Sequence, residues 1–201
     1  EKGKLYETLP EEILRVTLNF EGGFQKNKND TGNYLNGVLI GTNRGITPGA
    51  LLRAMKNKLI PEEPITEAYM KGLSIEKTRI IYSTNYYIPS KADKCPYPLN
   101  LIQFDTAVLH GVGGASKFLQ KGILESGYSI TVDGAIGQKT LTALNESISE
   151  KGIDFLCDAY LDARYNSYLN IIKNSPKKKV FLNGWRNRVN KLRSICNLSN
   201  I

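Results

Sequence analysis

Glu21-Gly22-Gly23-Phe24-Gln25-Lys26-Asn27-Lys28-Asn29-Asp30-Thr31-Gly32-Asn33-Tyr34-Leu35-Asn36-Gly37-Val38-Leu39-Ile40-Gly41-Thr42-Asn43-Arg44-Gly45-Ile46-Thr47 contains a helix exit, a hairpin and a helix entry in succession. Upstream, Thr8-Leu9-Pro10-Glu11 fits a capping box, with Thr8 as N-cap and Glu11 three residues on. Leu9, Ile13, Val16 and Phe20 follow at helical spacing, so a first helix is expected to run to about Phe20 and stop at Gly22-Gly23. Asn36-Gly37 between apolar and β-branched residues predicts a type I′ hairpin near residues 32–41, because that turn needs positive φ at both central positions. Thr47 as N-cap and Pro48 at the first helical position open a second helix through Leu51, Leu52, Met55 and Leu59.

The remainder reads as helical. Pro61 and Pro64 interrupt the chain, and Thr66 or Ser74 can start a new helix. A stripe of Ile80, Ile81, Tyr82 and Tyr86 predicts a helix over 75–87, which Pro89 ends before an irregular loop over 90–98. Residues 99–110 are apolar around so much of the helical circumference that they predict a central buried helix closed by Gly111, with His110 as a packed or capping residue. Gly113-Gly114 introduces a short helix, Asp133-Gly134 a turn, and helices are expected over 138–144, 153–172 and 180–195, the last two joined by the basic link Lys177-Lys178-Lys179. The fold class is mainly α, with one small hairpin.

Composition bounds the chemistry. The chain has 201 residues, 41% hydrophobic and 23% charged, enough for a substantial core in one folded unit. The apolar runs are too short to span a bilayer, which takes roughly twenty residues. No signal peptide is visible; the chain starts at Glu1 rather than methionine, so a removed leader or preceding domain stays open and localisation is unknown. Three widely spaced cysteines, Cys95, Cys157 and Cys196, suit scattered buried thiols better than a disulfide framework. With a single histidine and no Cys-x-x-Cys pair, neither a metal site nor a metal cofactor is expected. The net charge of +8 comes from the C-terminal end: from Lys173 onward there are eight basic residues and no acidic ones, against 19 of each before it. Such an end attracts polyanions, whether nucleic acid, anionic lipid or a carboxylate-bearing cell wall. No nucleic-acid motif accompanies it, so a nucleic-acid partner is not expected.

Glycoside hydrolysis commonly uses one carboxyl group that holds a proton for the leaving oxygen and one ionised group that activates water or stabilises an oxocarbenium-like transition state. Glu21 leaves an apolar helix at the negative end of its dipole, a setting that disfavours an anion. Asp30 lies among Lys26, Lys28 and Asn29, where positive charge favours the carboxylate. A threonine hydroxyl could help hold the attacking water beside the aspartate. Catalysis through His110 is not expected, because no serine or cysteine motif accompanies it.

These residues resemble a known pattern. Glu21, eight residues and then Asp30 match the Glu-x8-Asp opening of the Glu-x8-Asp-x5-Thr pattern of phage-type lysozymes. Glu21-Gly22-Gly23-Phe24, Asp30, Gly32 and Thr42-Asn43-Arg44-Gly45-Ile46-Thr47 are more closely similar to the signature of glycoside hydrolase family 108. Phe24 replaces that family's tyrosine, Arg44 stands where tyrosine or histidine is usual, and eleven residues instead of five separate Asp30 from Thr42, an excess the hairpin accounts for. Phe104-Asp105 with Ala107-Val108 and Gly111, then residues 132–140, and finally Gly184-Trp185-Arg186-Asn187-Arg188-Val189 resemble the predicted peptidoglycan-binding region that follows this catalytic motif.

The resemblance implies a lysozyme-like helical fold in one unit, with a catalytic lobe over 1–98 and a peptidoglycan-binding-like helical lobe over 99–201. It also implies an N-acetylmuramidase acting on peptidoglycan glycan strands without a cofactor, in which Glu21 is the general acid, Asp30 the second carboxylate and Thr42 the threonine of the triad. Tyr34, Asn43, Tyr87 and Tyr97 are the candidate sugar contacts, and a monomer is expected. Two other classes remain: a lytic transglycosylase that uses Glu21 alone and leaves 1,6-anhydro ends, and a wall-binding module without catalysis.

Overall fold

Helix α1 spans Glu11–Glu21 in the computed structural model, which describes residues 9–201. The expected cap Thr8 lies outside the described residues; Glu11 accepts from its i+4 neighbour Arg15. Ile13, Leu14 and Thr17 form the buried face of α1, and Gly22, at φ 76°, ends it. The described residues divide into two compact units between Asn85 and Tyr86.

In the first unit the hairpin forms where the Asn-Gly signal placed it. Strands β1, Tyr34–Leu35, and β2, Val38–Leu39, pair antiparallel with Tyr34 opposite Leu39 and Leu35 opposite Val38. Asn36 and Gly37 carry φ of 50° and 80°, as a type I′ turn requires. Helix α2, Pro48–Lys56, starts with Thr47 Oγ1 accepting from the Ala50 amide at 3.2 Å. It stops before Leu59 because Lys58 turns left-handed, φ 57°, while the Leu59 amide reaches back to the Ala54 carbonyl and the Lys58 amide to that of Met55, a Schellman closure.

Both candidate starts after Pro64 are used. Thr66 caps α3, Glu67–Lys71, and Ser74 caps α4, Ile75–Tyr82. The helix expected to reach Tyr87 ends at Tyr82, and a π-helical turn, Ser83–Tyr87, carries the chain on. Arg79 Nε of α4 donates to the Leu9 carbonyl at 2.6 Å, tying α4 to the entry of α1.

The second unit is built on α5, Leu99–Glu125, which packs against α7, Ile153–Asn174; α6, Gln138–Lys151, and α8, Leu182–Ile195, lie against α7. Every residue of α5 from Leu101 to Ala107 is buried, as the all-round apolar pattern predicted. Gly111 does not close this helix but breaks it: its φ of 74° interrupts an element that continues to Glu125 and absorbs the short helix expected after Gly113-Gly114. Helix α6 runs beyond the expected Leu144 because Ser147 extends the buried face of Ala143 and Leu144 by one turn, and Gly152, φ 85°, ends it. Residues Pro176–Phe181 form a 3₁₀ turn, so α8 begins at Leu182 and not Val180. The three cysteines are buried and free.

Two of the sequence motifs meet in this core. Asp105, fully buried, accepts from Arg164 Nη1 at 2.8 Å and from Arg188 Nη2 at 2.8 Å, so one carboxylate joins α5, α7 and α8. Burial by itself would raise its pKa, and the Arg164 and Arg188 guanidiniums more than reverse that, holding it below the ordinary carboxylate range. His110 is a packing residue: its Nε2 lies 2.8 Å from Tyr168 Oη and its ring stacks on Tyr168. Burial, then the nearby Arg164 charge, push its pKa down to about 4.

Candidate functional site

The segment Thr42–Thr47 runs back along the exit of α1. Asn43 and Ile46 exchange backbone hydrogen bonds, 3.1 and 2.8 Å, around Arg44 and Gly45 at φ of 49° and 72°. This is a second tight turn with both central residues left-handed, and the sequence signal for it was the x-Gly pair flanked by Asn43 and Ile46. Two anchors fix it: Asn43 Nδ2 donates to the Met70 carbonyl at 2.7 Å, and Arg44 Nη1 to that of Leu73 at 2.6 Å.

Gly45 is where this turn meets Glu21. A methyl group there would come within 3.1 Å of Glu21 Oε2 and 2.5 Å of Tyr82 Oη, so only glycine lets the backbone lie this close to the carboxyl. Glu21 is accordingly half-buried. Tyr82, buried at the end of α4, donates to the Arg44 carbonyl at 2.8 Å and holds the turn from the other side. In the sequence it was one more residue of a helical stripe.

The other two candidates are joined through Gln25. Its backbone pairs twice with Thr42, 2.8 and 2.9 Å, and its side-chain Nε2 donates to Asp30 Oδ2 at 3.0 Å. The Asn33 side chain completes the clamp, donating to Gln25 Oε1 at 2.8 Å and accepting from Nε2 at 3.0 Å. Asp30 Oδ1 in turn accepts from the Gly32 amide at 2.9 Å, so both oxygens of this exposed carboxylate are oriented by the chain. Thr42 is 8% exposed, and its Oγ1 has no hydrogen-bond partner among the described residues. An unpartnered buried hydroxyl costs about 1–3 kcal/mol. Glu21 against Gly45, Phe24 against Gly41 and Gln25 against Thr42 thus set one strip of chain along another, with Asp30 attached through Gln25. Nothing in its sequence context distinguishes Gln25 from a solvated loop glutamine.

The candidate sugar contacts differ in what they offer. Tyr34 is half-buried in β1 and closes the Asp30 loop by donating to the Lys28 carbonyl at 3.0 Å. Asn43 is 6% exposed, and its amide nitrogen is committed to the backbone at Met70 and Lys71. Tyr87 is 3% exposed with its ring edge-on to Phe104, so in this conformation no sugar reaches its face. Tyr97, in the second unit, is 60% exposed. No cluster of three or more His, Cys, Asp or Glu side chains able to hold a metal occurs among the described residues, and no described helix is long and apolar enough to cross a membrane.

Comparison with known proteins matches two regions of the chain. Residues 14–111 match the family described as "Glycosyl hydrolase 108", and residues 114–190 match the "Predicted Peptidoglycan domain". Among solved structures the chain is similar to Brucella abortus SagA, at 27% identity and a TM-score of 0.63, over 98% of this chain and 95% of that one. Comparison with curated proteins finds no match. The expected mainly α, lysozyme-like fold class holds, and a glycosidase region followed by a peptidoglycan domain makes peptidoglycan the substrate class. The chain thus carries a glycosyl hydrolase 108 region over residues 14–111 and the predicted peptidoglycan domain over residues 114–190.

Proposed function

We propose that this protein is an N-acetylmuramidase that hydrolyses the β-1,4 bond between N-acetylmuramic acid and N-acetylglucosamine in peptidoglycan. Glu21 donates a proton to the glycosidic oxygen as its bond to C1 breaks. Asp30, the ionised partner, activates water or stabilises the positive charge developing on the sugar. The Thr42 hydroxyl, with hydrogen-bonding capacity unspent on protein groups, helps hold the water that adds to C1. The products are a reducing N-acetylmuramic acid end and a free 4-hydroxyl on N-acetylglucosamine.

The observation that carries this reading is the strip described above, on which Glu21 is half-buried against Gly45 while Asp30 and Thr42 share Gln25. The test is digestion of purified sacculi by wild type and Glu21→Gln, with product ends identified by mass spectrometry. Loss of a positioned general acid should slow release of reducing ends by about 10²–10⁴-fold. Products ending in 1,6-anhydro sugars would assign a lytic transglycosylase instead, and an unaltered rate in Glu21→Gln would remove Glu21 from the chemistry.

A further inference from the structure

Of the eight basic residues that make the C-terminal end cationic, two are spent inside the second unit. Arg188 is paired with Asp105, and Arg193 with Asp158 and Asp162 of α7. Lys173, Lys177, Lys178, Lys179, Arg186 and Lys191 remain exposed, and no acidic residue occurs from Lys173 to Ile201. The densest part is the turn Pro176–Phe181, in which all six residues are exposed and none of the three lysines has an ion-pair partner among the described residues.

The same turn carries the largest apolar exposure among the described residues: Val180 is 78% exposed, and Phe181 beside it 56%. Phe181 is not a loose side chain. Its ring lies 5.8 Å from that of Trp185, which stacks on Tyr168 at 4.7 Å and 19°, and Tyr168 stacks on His110. A ladder of rings therefore runs from the core to the surface and ends in an exposed phenylalanine beside three lysines.

We propose that the turn Pro176–Phe181 is a docking surface for an anionic phospholipid bilayer, with Lys177, Lys178 and Lys179 on the headgroup phosphates and Val180 and Phe181 entering the boundary with the acyl chains. Cationic residues beside exposed apolar ones are the combination that holds a peripheral element at such an interface. The charge of the turn is complementary to an anionic headgroup layer. A saccharide could accept from the ammonium groups and stack on the Phe181 ring, but it would find no side-chain acceptor in the turn for its hydroxyl protons and would give Val180 no apolar partner. Stacking on nucleobases would use Phe181 but leave Val180, the more exposed of the two, without a role.

The test is co-sedimentation of the full chain with phosphatidylcholine vesicles, with and without phosphatidylglycerol. Wild type should pellet only with the anionic vesicles and be released by salt. Replacing all three lysines, Lys177→Gln with Lys178→Gln and Lys179→Gln, should weaken partitioning by about a hundredfold, roughly fivefold for each cation near the surface. Val180→Ser with Phe181→Ser, which keeps the charge, should weaken it about tenfold. Circular dichroism on each variant confirms that the fold is kept. Failure of wild type to bind anionic vesicles would overturn the proposal, as would equal binding by the Val180/Phe181 variant, or loss of sacculus binding by the variants with vesicle binding intact. The readout is the same whether or not sacculi are cleaved.

Discussion

Replacing Asp105 with alanine tests the buried charge cluster of the second unit, and the cost can be worked from its contacts. Asp105 and Arg164 are both fully buried, and Arg188 is 10% exposed. The carboxylate receives Arg164 Nη1 at 2.8 Å and the Arg188 fork at 2.8, 3.1 and 3.2 Å. Without it, Arg164 keeps Thr106 Oγ1 and Tyr168 Oη as neutral partners but has no counter-charge. Breaking one side of a buried pair costs about 3–5 kcal/mol, a large share of the roughly 5–15 kcal/mol that stabilises a domain. At a urea slope of about 2 kcal/mol per molar, the unfolding midpoint should fall by about 2 M. The assay is built in, since the only tryptophan, Trp185, stacks on Tyr168 and its fluorescence reports this unit. Asp162→Ala is the control: its carboxylate is half-exposed and Arg193 keeps Asp158, so the loss should stay near 1 kcal/mol. Asp105→Leu combined with Arg164→Met and Arg188→Met should recover most of the stability, because the charge is then removed along with both of its partners. A midpoint shift in Asp105→Ala no larger than that of Asp162→Ala would refute the reasoning.

Acid should destabilise the same unit in two stages. Because the pKa of His110 is lowered to about 4 by burial and by Arg164, its contribution is complete above the ordinary value near 6.5 and is lost as pH falls from there toward 4. Asp105, held below the carboxylate range, contributes above about 4 and loses that contribution as pH drops through its depressed pKa. Urea midpoints from Trp185 fluorescence should follow this course, and in His110→Gln the upper stage should vanish. Gln25→Ala should lower sacculus hydrolysis about tenfold by freeing Asp30 to rotate, and should have no further effect in an Asp30→Asn background; an additive loss would mean that Gln25 does not act through Asp30. Thr42→Val keeps the shape of a side chain whose hydroxyl meets no protein partner, so stability should hold or rise by about 1 kcal/mol while hydrolysis falls. Unchanged hydrolysis would make Thr42 a packing residue.

Local rules placed most of the elements. The Asn36-Gly37 hairpin, the caps at Thr47, Thr66 and Ser74 and the buried arm of α5 each follow from a few neighbouring residues, because backbone sterics and helix periodicity act over that range. Boundaries moved where a local signal competed with packing. Gly111 has the composition of a stop but is a break within α5, and α6 runs seven residues past Leu144, with Ser147 extending its buried face.

By itself the amino-acid sequence determined the mainly helical fold class, the family signature and the identity of the candidate acid, carboxylate and threonine. Tertiary structure alone decided what each of them touches: that Gly45 lies against Glu21 in a turn held by Tyr82, that Gln25 joins Asp30 to Thr42, that Arg188 of a cationic tail is an internal partner of Asp105, 83 positions earlier, and that Tyr87 is a core residue. The reason is physical. Hydrogen bonds and charge pairs depend on separations of about 3 Å in space, and positions far apart along the chain leave no periodic trace of such contacts in composition or spacing.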